Sequence, residues 1–145
     1  MRRIALQFAV LALIVCACAA RAEDEDAKKM EGSWTIESVT SKGEKQPAEQ
    51  LKDITMVITG NKMQMKLKDE AVSTVTFKLD GEQKPKHIDL THVDGDQKDK
   101  VELGIYELDG DTLKLTSSDP GEKRPEAFES AAGSKIDFLV LKRKK

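Results

Sequence analysis

Two histidines and a group of acidic residues are the side chains in this sequence most suited to holding a metal ion. His87 and His92 are five positions apart, so on a strand they would point to opposite faces and could not bind the same ion. Four carboxylates fall within residues 94–102. The EF-hand pattern fails there, because Lys98 stands at its fifth position and Asp99 at its sixth, where glycine belongs. We therefore expect solvated side chains, no metal site and no cofactor.

The residues of nucleophilic and acid–base catalysis do not form a recognisable pattern either. The sequence has no Gly-x-Ser-x-Gly motif, which would expose a nucleophilic serine on a sharp turn. A general acid needs a carboxyl group in apolar surroundings, and only Asp137, between Ile136 and Phe138, comes near this condition. Because Asp137 alternates with its two neighbours, we expect it to face solvent. The sequence predicts a protein that is not an enzyme.

The first 22 residues have the three parts of a secretory signal peptide. Arg2 and Arg3 supply the positive start, residues 8–20 form an unbroken apolar run of 13, and residues 20–22 (Ala-Arg-Ala) offer a cleavage site. A membrane-spanning helix needs roughly 20 apolar residues, so this run is short for a permanent anchor. We expect cleavage after residue 22 and export of residues 23–145 to the periplasm or beyond.

The two cysteines allow an alternative cellular location. Residues 15–18 (Val-Cys-Ala-Cys) resemble the lipobox of bacterial lipoproteins, although Cys16 stands where a small or aliphatic residue is usual. Lipidation at Cys18 would make this a lipid-anchored envelope protein, and only then do we expect membrane association. Both cysteines of the chain lie in the signal region. After cleavage, the domain would fold without disulfides or thiolate ligands.

Charge argues against nucleic acid as a partner. Removal of Arg2, Arg3 and Arg21 with the signal peptide reduces the 24 basic residues to 21 against 26 acidic ones, a net charge of −5. An acidic domain is a poor electrostatic match for phosphate backbones. The basic residues 142–145 at the end of the chain are read as a solvated terminus. A small hydrophobic ligand or an envelope protein is the partner that we expect.

The elements that would position any site are strands. From residue 32 onward, apolar and polar residues alternate in about eight short stretches separated by turn signals such as Gly60-Asn61 and Asp109-Gly110. This order predicts an all-β, eight-stranded, up-and-down antiparallel barrel over residues 31–145. One short helical turn is expected after Pro47. Residues 117–135 are expected to form a loop, and residues 23–30 a flexible acidic leader.

Gly32-Ser33-Trp34, at the start of the first strand, resembles the opening motif of lipocalins. In that superfamily the tryptophan plugs one end of the barrel, and a basic residue of the last strand lies over it. The resemblance assigns this closure to Trp34 together with Arg143 or Lys142. It implies a lipocalin-like barrel.

The chain is more closely similar, over residues 31–143, to the lipocalin-like domain family of planctomycete bacteria. The segments that carry this resemblance are residues 31–34, 77–80, 85–90, 104–114, 120–125 and 139–143. The chain departs from the family at Thr116-Ser117, where members often have a cysteine. The resemblance implies a fold and an exported location, and it transfers no reaction.

Two functions follow as hypotheses. In the first, the barrel interior holds a small apolar or amphipathic ligand, since methionine-rich strands suit an adaptable wall. The residues expected to line that site are Met56, Met65, Phe77, Leu90 and Ile105. In the second, these side chains fill the core, and the domain is a non-catalytic structural or interaction protein of the cell envelope. The few aromatic residues, 4% of the chain, argue against a large ligand cavity.

Overall fold

The structure, a computed structural model, describes residues 25–145. The expected signal peptide over residues 1–22 and the lipidation alternative at Cys18 lie outside the described residues. Within residues 25–145, no helix combines the length and the hydrophobicity needed to cross a bilayer.

Nine strands and two short helices make up the described chain. The strands are β1 Gly32–Ser41, β2 Glu44–Lys45, β3 Ile54–Thr59, β4 Lys62–Leu67, β5 Glu70–Asp80, β6 Lys86–His92, β7 Val101–Asp109, β8 Thr112–Ser118 and β9 Ile136–Arg143. The helices are α1, residues 25–30, and α2, Ala48–Leu51. The short helical turn expected after Pro47 is therefore present, with Pro47 at its N-cap.

Each long strand pairs antiparallel with the next, and β9 pairs back onto β1. Strands β1 and β3–β9 thus form a closed eight-stranded barrel, and β2 adds only a two-residue pairing at the end of β1. Closure leaves the eight long strands without an unpaired edge. The prediction of an all-β, up-and-down antiparallel barrel is confirmed.

The hairpin of β3 and β4 illustrates how the sequence specifies this pairing. Met56 lies opposite Met65, and Ile58 opposite Met63, so the apolar residues at every second position share the inner face. Gly60, in the turn, has a φ of 58°, a left-handed conformation that glycine adopts at little cost. Alternation and turn chemistry together fix the register.

The inner face of β7 is the opposite of the one expected, which would have placed Ile105 inside the barrel. Tyr106 lies opposite Leu115, and Leu108 opposite Leu113, and all four belong to the inner core or pack against it. Ile105, which alternates with Tyr106, therefore points outward although it is fully buried. The reason is that apolar residues occupy both faces of this strand, so alternation alone does not identify the inner one.

A long loop, residues 119–135 (the covering loop), shields the outer surface of β7. As expected, it contains no helix or strand. Arg124 holds it against the barrel by donating hydrogen bonds to the carbonyl oxygens of Ile88 (3.2 Å) and Gly104 (2.7 Å) and to the Asp89 carboxylate (2.6 Å). At its other end, the Ser130 hydroxyl accepts a hydrogen bond from the Gly43 amide at 3.0 Å. The loop is thereby fixed at two places.

The chain before β1 differs from the flexible leader that was expected over residues 23–30. Residues 25–30 form α1, whose last residue, Met30, is fully buried, and Ala27 also packs against the core. Trp34 donates a 2.8 Å hydrogen bond from its indole nitrogen to the carbonyl oxygen of Met30. The two apolar residues Ala27 and Met30, one helical turn apart, cover the end of the barrel, and the charged composition of the segment does not reveal this spacing.

Candidate functional site

A cavity of about 200 Å³ lies inside the barrel. Its lining residues come from β3 to β9, and most of the polar ones lie toward the ends of β6 and β8 and the starts of β7 and β9, which belong to one end of the barrel (the open end). Trp34 lies at the other end (the closed end), where the interior is filled. The fully buried side chains of that end include Trp34, Ile58, Ile88, Tyr106, Leu113 and Leu141. The barrel is therefore packed in one half and hollow in the other.

Methionines and leucines form the apolar wall of the cavity. Met56 and Met65 face each other across β3 and β4, and Leu90 and Leu139 contribute from β6 and β9. Methionine is unbranched and polarizable, so its side chain adjusts to the shape of what it contacts. This wall can accommodate a small apolar group.

A hydrogen-bonded polar cluster lies at the open end of the cavity. Nε2 of His92 lies 2.7 Å from one carboxylate oxygen of Glu102, and the Ser117 hydroxyl donates to the other at 3.1 Å. The side chains of His92 and Glu102 are 15% and 23% exposed. The cluster therefore stands between the apolar wall and solvent.

A second carboxylate, Asp137, also lines the cavity. The Ser41 hydroxyl donates a 2.5 Å hydrogen bond to its Oδ1. The expectation that Asp137 points outward is wrong. Asp137 alternates with Leu139 and Leu141, both of which face the interior, so its side chain lies on their face of β9.

Trp34 and Arg143 are brought together at the closed end. The Arg143 guanidinium carbon lies 4.4 Å from the centre of the Trp34 ring, within the range of a cation–π contact. Its nitrogens also donate to the carbonyl oxygens of Lys29 and of Glu31, the latter at 2.8 Å. Arg143 thus joins the last strand to α1 and to the residue before β1.

Asp26 of α1 makes a further link at this end. Its carboxylate accepts hydrogen bonds from Lys86 at 2.7 Å and from the Tyr106 hydroxyl at 2.8 Å. Burial raises the pKa of Asp26, but the hydrogen bonds from Lys86 and Tyr106 and the charges of Lys86 and Lys29 outweigh it, so the pKa lies below its usual value of 3.8. The closed end is sealed by charged as well as apolar contacts.

Of the five residues expected to face the barrel interior around a ligand, three line the cavity. Met56, Met65 and Leu90 line the cavity. Phe77 is only 6% exposed and belongs to the packed core, but it is not among the residues that line the cavity. The expectation for Ile105 is wrong, because this residue lies outside the barrel with Arg124 and Pro125 of the covering loop.

His92, Glu102 and Asp137 were not among the expected site residues. His92 continues the alternation of Ile88 and Leu90, and that signal places it on the inner face. Glu102 lies on the same face of β7 as Gly104 and Tyr106. Its inward position could therefore be predicted only if that face were known to be the inner one. The sequence signal existed for His92 and was ambiguous for Glu102.

The two histidines lie on opposite faces of β6. His92 lines the cavity, whereas His87 lies outside the barrel beside Ile105. Within residues 25–145, no group of three or more histidine, cysteine, aspartate or glutamate side chains is placed to hold a metal ion.

Comparison of the chain with protein-family models, with curated proteins and with solved structures finds no match. The similarity to planctomycete lipocalin-like domains, drawn from short motifs, therefore stays a prediction.

Proposed function

We propose that this chain is an exported, non-catalytic binding domain that holds a small apolar or amphipathic ligand inside its barrel. The observation that carries the proposal is the cavity at the open end, with an apolar wall of Met56, Met65, Leu90 and Leu139 and a polar cluster at its mouth. Ligand sites in proteins typically combine apolar walls with a few placed polar groups. Export is supported by the sequence pattern of residues 1–22.

The size of the cavity limits what it can hold. A cavity of roughly 150 Å³ accommodates benzene, and drug-sized ligands occupy pockets of roughly 300–1,000 Å³. At about 200 Å³, the cavity suits a compact molecule somewhat larger than benzene, or one end of a longer amphiphile. Bulky ligands do not match this interior.

The test uses protein matured from the full chain. Native mass spectrometry of protein isolated from its own envelope fraction should reveal a co-purifying small molecule. Thermal-shift measurements should show stabilisation by compact amphiphiles, of about 2.7 kcal/mol at a ligand concentration of 100 Kd. A ligand-free protein that is indifferent to every amphiphile would overturn the proposal and favour the alternative, an envelope structural or interaction protein.

A cavity-filling variant links any binding to the interior. Leu139→Phe places a larger side chain in the cavity wall, and we expect it to abolish the stabilisation by ligand. Ile105→Val is the matched control, since it also alters a buried apolar residue but lies outside the barrel. Equal ligand responses in both variants would contradict an interior site.

A further inference from the structure

We infer that the cavity selects ligands with a protonated amine over ligands with a carboxylate or phosphate head. This inference rests on the proposed function, because it names the chemical class of ligand for the same site. It follows from the charges that line the cavity and from the hydrogen bonds that those groups already make.

Acidic side chains predominate over basic ones in the cavity. Among the described residues that line it are two carboxylates, Glu102 and Asp137, together with His92, and none of these described residues is a lysine or an arginine. Acidic side chains therefore outnumber basic ones in the lining, and His92 already contacts Glu102. This balance favours a cationic head group and opposes an anionic one.

The two carboxylates differ in how many of their oxygens have hydrogen-bond partners. Both oxygens of Glu102 have partners, His92 and Ser117. Asp137 accepts a hydrogen bond from Ser41 at Oδ1, and within residues 25–145 it forms no salt bridge. A carboxylate has about four lone-pair sites, so Asp137 retains capacity for a further donor. We therefore assign the amine-binding role to Asp137.

The apolar wall completes the recognition. A charged group leaves water at a large cost unless it is paired and hydrogen-bonded. An ammonium group beside Asp137 would meet that requirement while its hydrocarbon part contacts Leu139 and the methionines. An anionic head in the same place would lie near two carboxylates without a counter-charge. The expected ligand is a compact primary amine with an aryl or short alkyl body.

The experiment compares three probes that share a body and differ in their head group. Isothermal titration calorimetry and thermal shift would be run with 2-phenylethylamine, 2-phenylethanol and phenylacetate. We expect the amine to bind at least about tenfold more tightly than phenylacetate, with the alcohol between them. Phenylacetate binding as tightly as the amine would overturn the inference and leave the proposed cavity site intact.

Two variants test the role of Asp137. Asp137→Asn keeps the shape and removes the charge, and it should reduce amine affinity by about tenfold while leaving 2-phenylethanol affinity within about twofold. Glu107→Gln removes a carboxylate from an exposed position of β7 and should change neither. An unchanged amine preference in Asp137→Asn would contradict the assignment. If none of the three probes binds the folded protein, the inference fails, and the native mass spectrum decides separately on the proposed function.

Discussion

The Arg143 guanidinium lies over the Trp34 ring at 4.4 Å and at the same time donates hydrogen bonds to the carbonyl oxygens of Lys29 and Glu31. These contacts connect the last strand, the first strand and the helix α1 that precedes it. At the closed end, one side chain therefore reaches three segments. Stability at this end can be tested apart from binding at the open end.

Arg143→Lys should destabilise the protein although it keeps the charge. A lysine cannot donate from two nitrogens in the fixed fork that reaches both carbonyl oxygens, and it stacks less well on an aromatic ring. We expect the free energy of unfolding to fall by about 1–3 kcal/mol, as measured by urea denaturation. Lys142→Ala, which alters the neighbouring exposed residue, is the control. Equal losses in the two variants would show that the guanidinium geometry has no special role.

Asp26 should make stability depend on acid pH. Because its pKa in the folded protein is lowered, its contribution is present above the unfolded-state value near 3.8 and is lost as the pH falls through the lower folded value. Urea denaturation of wild type and of Asp26→Asn at pH 7, 5 and 3 should therefore show a difference that shrinks at pH 3.

The control for this pH series is Asp109→Asn, which changes an exposed carboxylate near the end of β7. It should unfold like the wild type throughout the series. A constant difference between wild type and Asp26→Asn from pH 7 to pH 3 would contradict the assignment of the pH dependence to Asp26.

Gly43→Ala should release the covering loop. Gly43 has a φ of 87°, and a Cβ atom there would lie 2.4 Å from the Cα of Ala132. We expect faster limited proteolysis within residues 119–135 and a loss of stability above the roughly 1–2 kcal/mol that a left-handed conformation costs alanine. Gly60→Ala is the matched control, with a φ of 58° and nothing within 4 Å of its added Cβ. Similar losses in both variants would argue against the contact with the loop.

Several features of the fold could be predicted because they follow from local rules. The β3–β4 hairpin is specified by strict alternation around Met63 and Met65 and by the turn at Gly60. The helical turn of α2 follows from Pro47. In both cases, the information lies within a few neighbouring residues.

The candidate site was predicted only in part because it depends on which face of a strand is covered. Met56, Met65 and Leu90 lie on strands with one apolar face, and the cavity includes them. Ile105 lies on a strand with two apolar faces, one of which is buried by the covering loop. The sequence does not show where a distant loop will pack, so the inner face of β7 was assigned wrongly.

The sequence by itself determined the barrel: period-two alternation and sharp turns oblige neighbouring strands to pair, and burial of one face closes the sheet. Only the tertiary structure decided which half is hollow, that Glu102 and Asp137 face inward, and that α1 seals the opposite end. The physical reason is that the pairing of neighbouring strands depends on residues close in sequence. The position of each inward-facing side chain along the barrel axis, and therefore its neighbours in the interior, depends on the register of all the strands around the closed sheet.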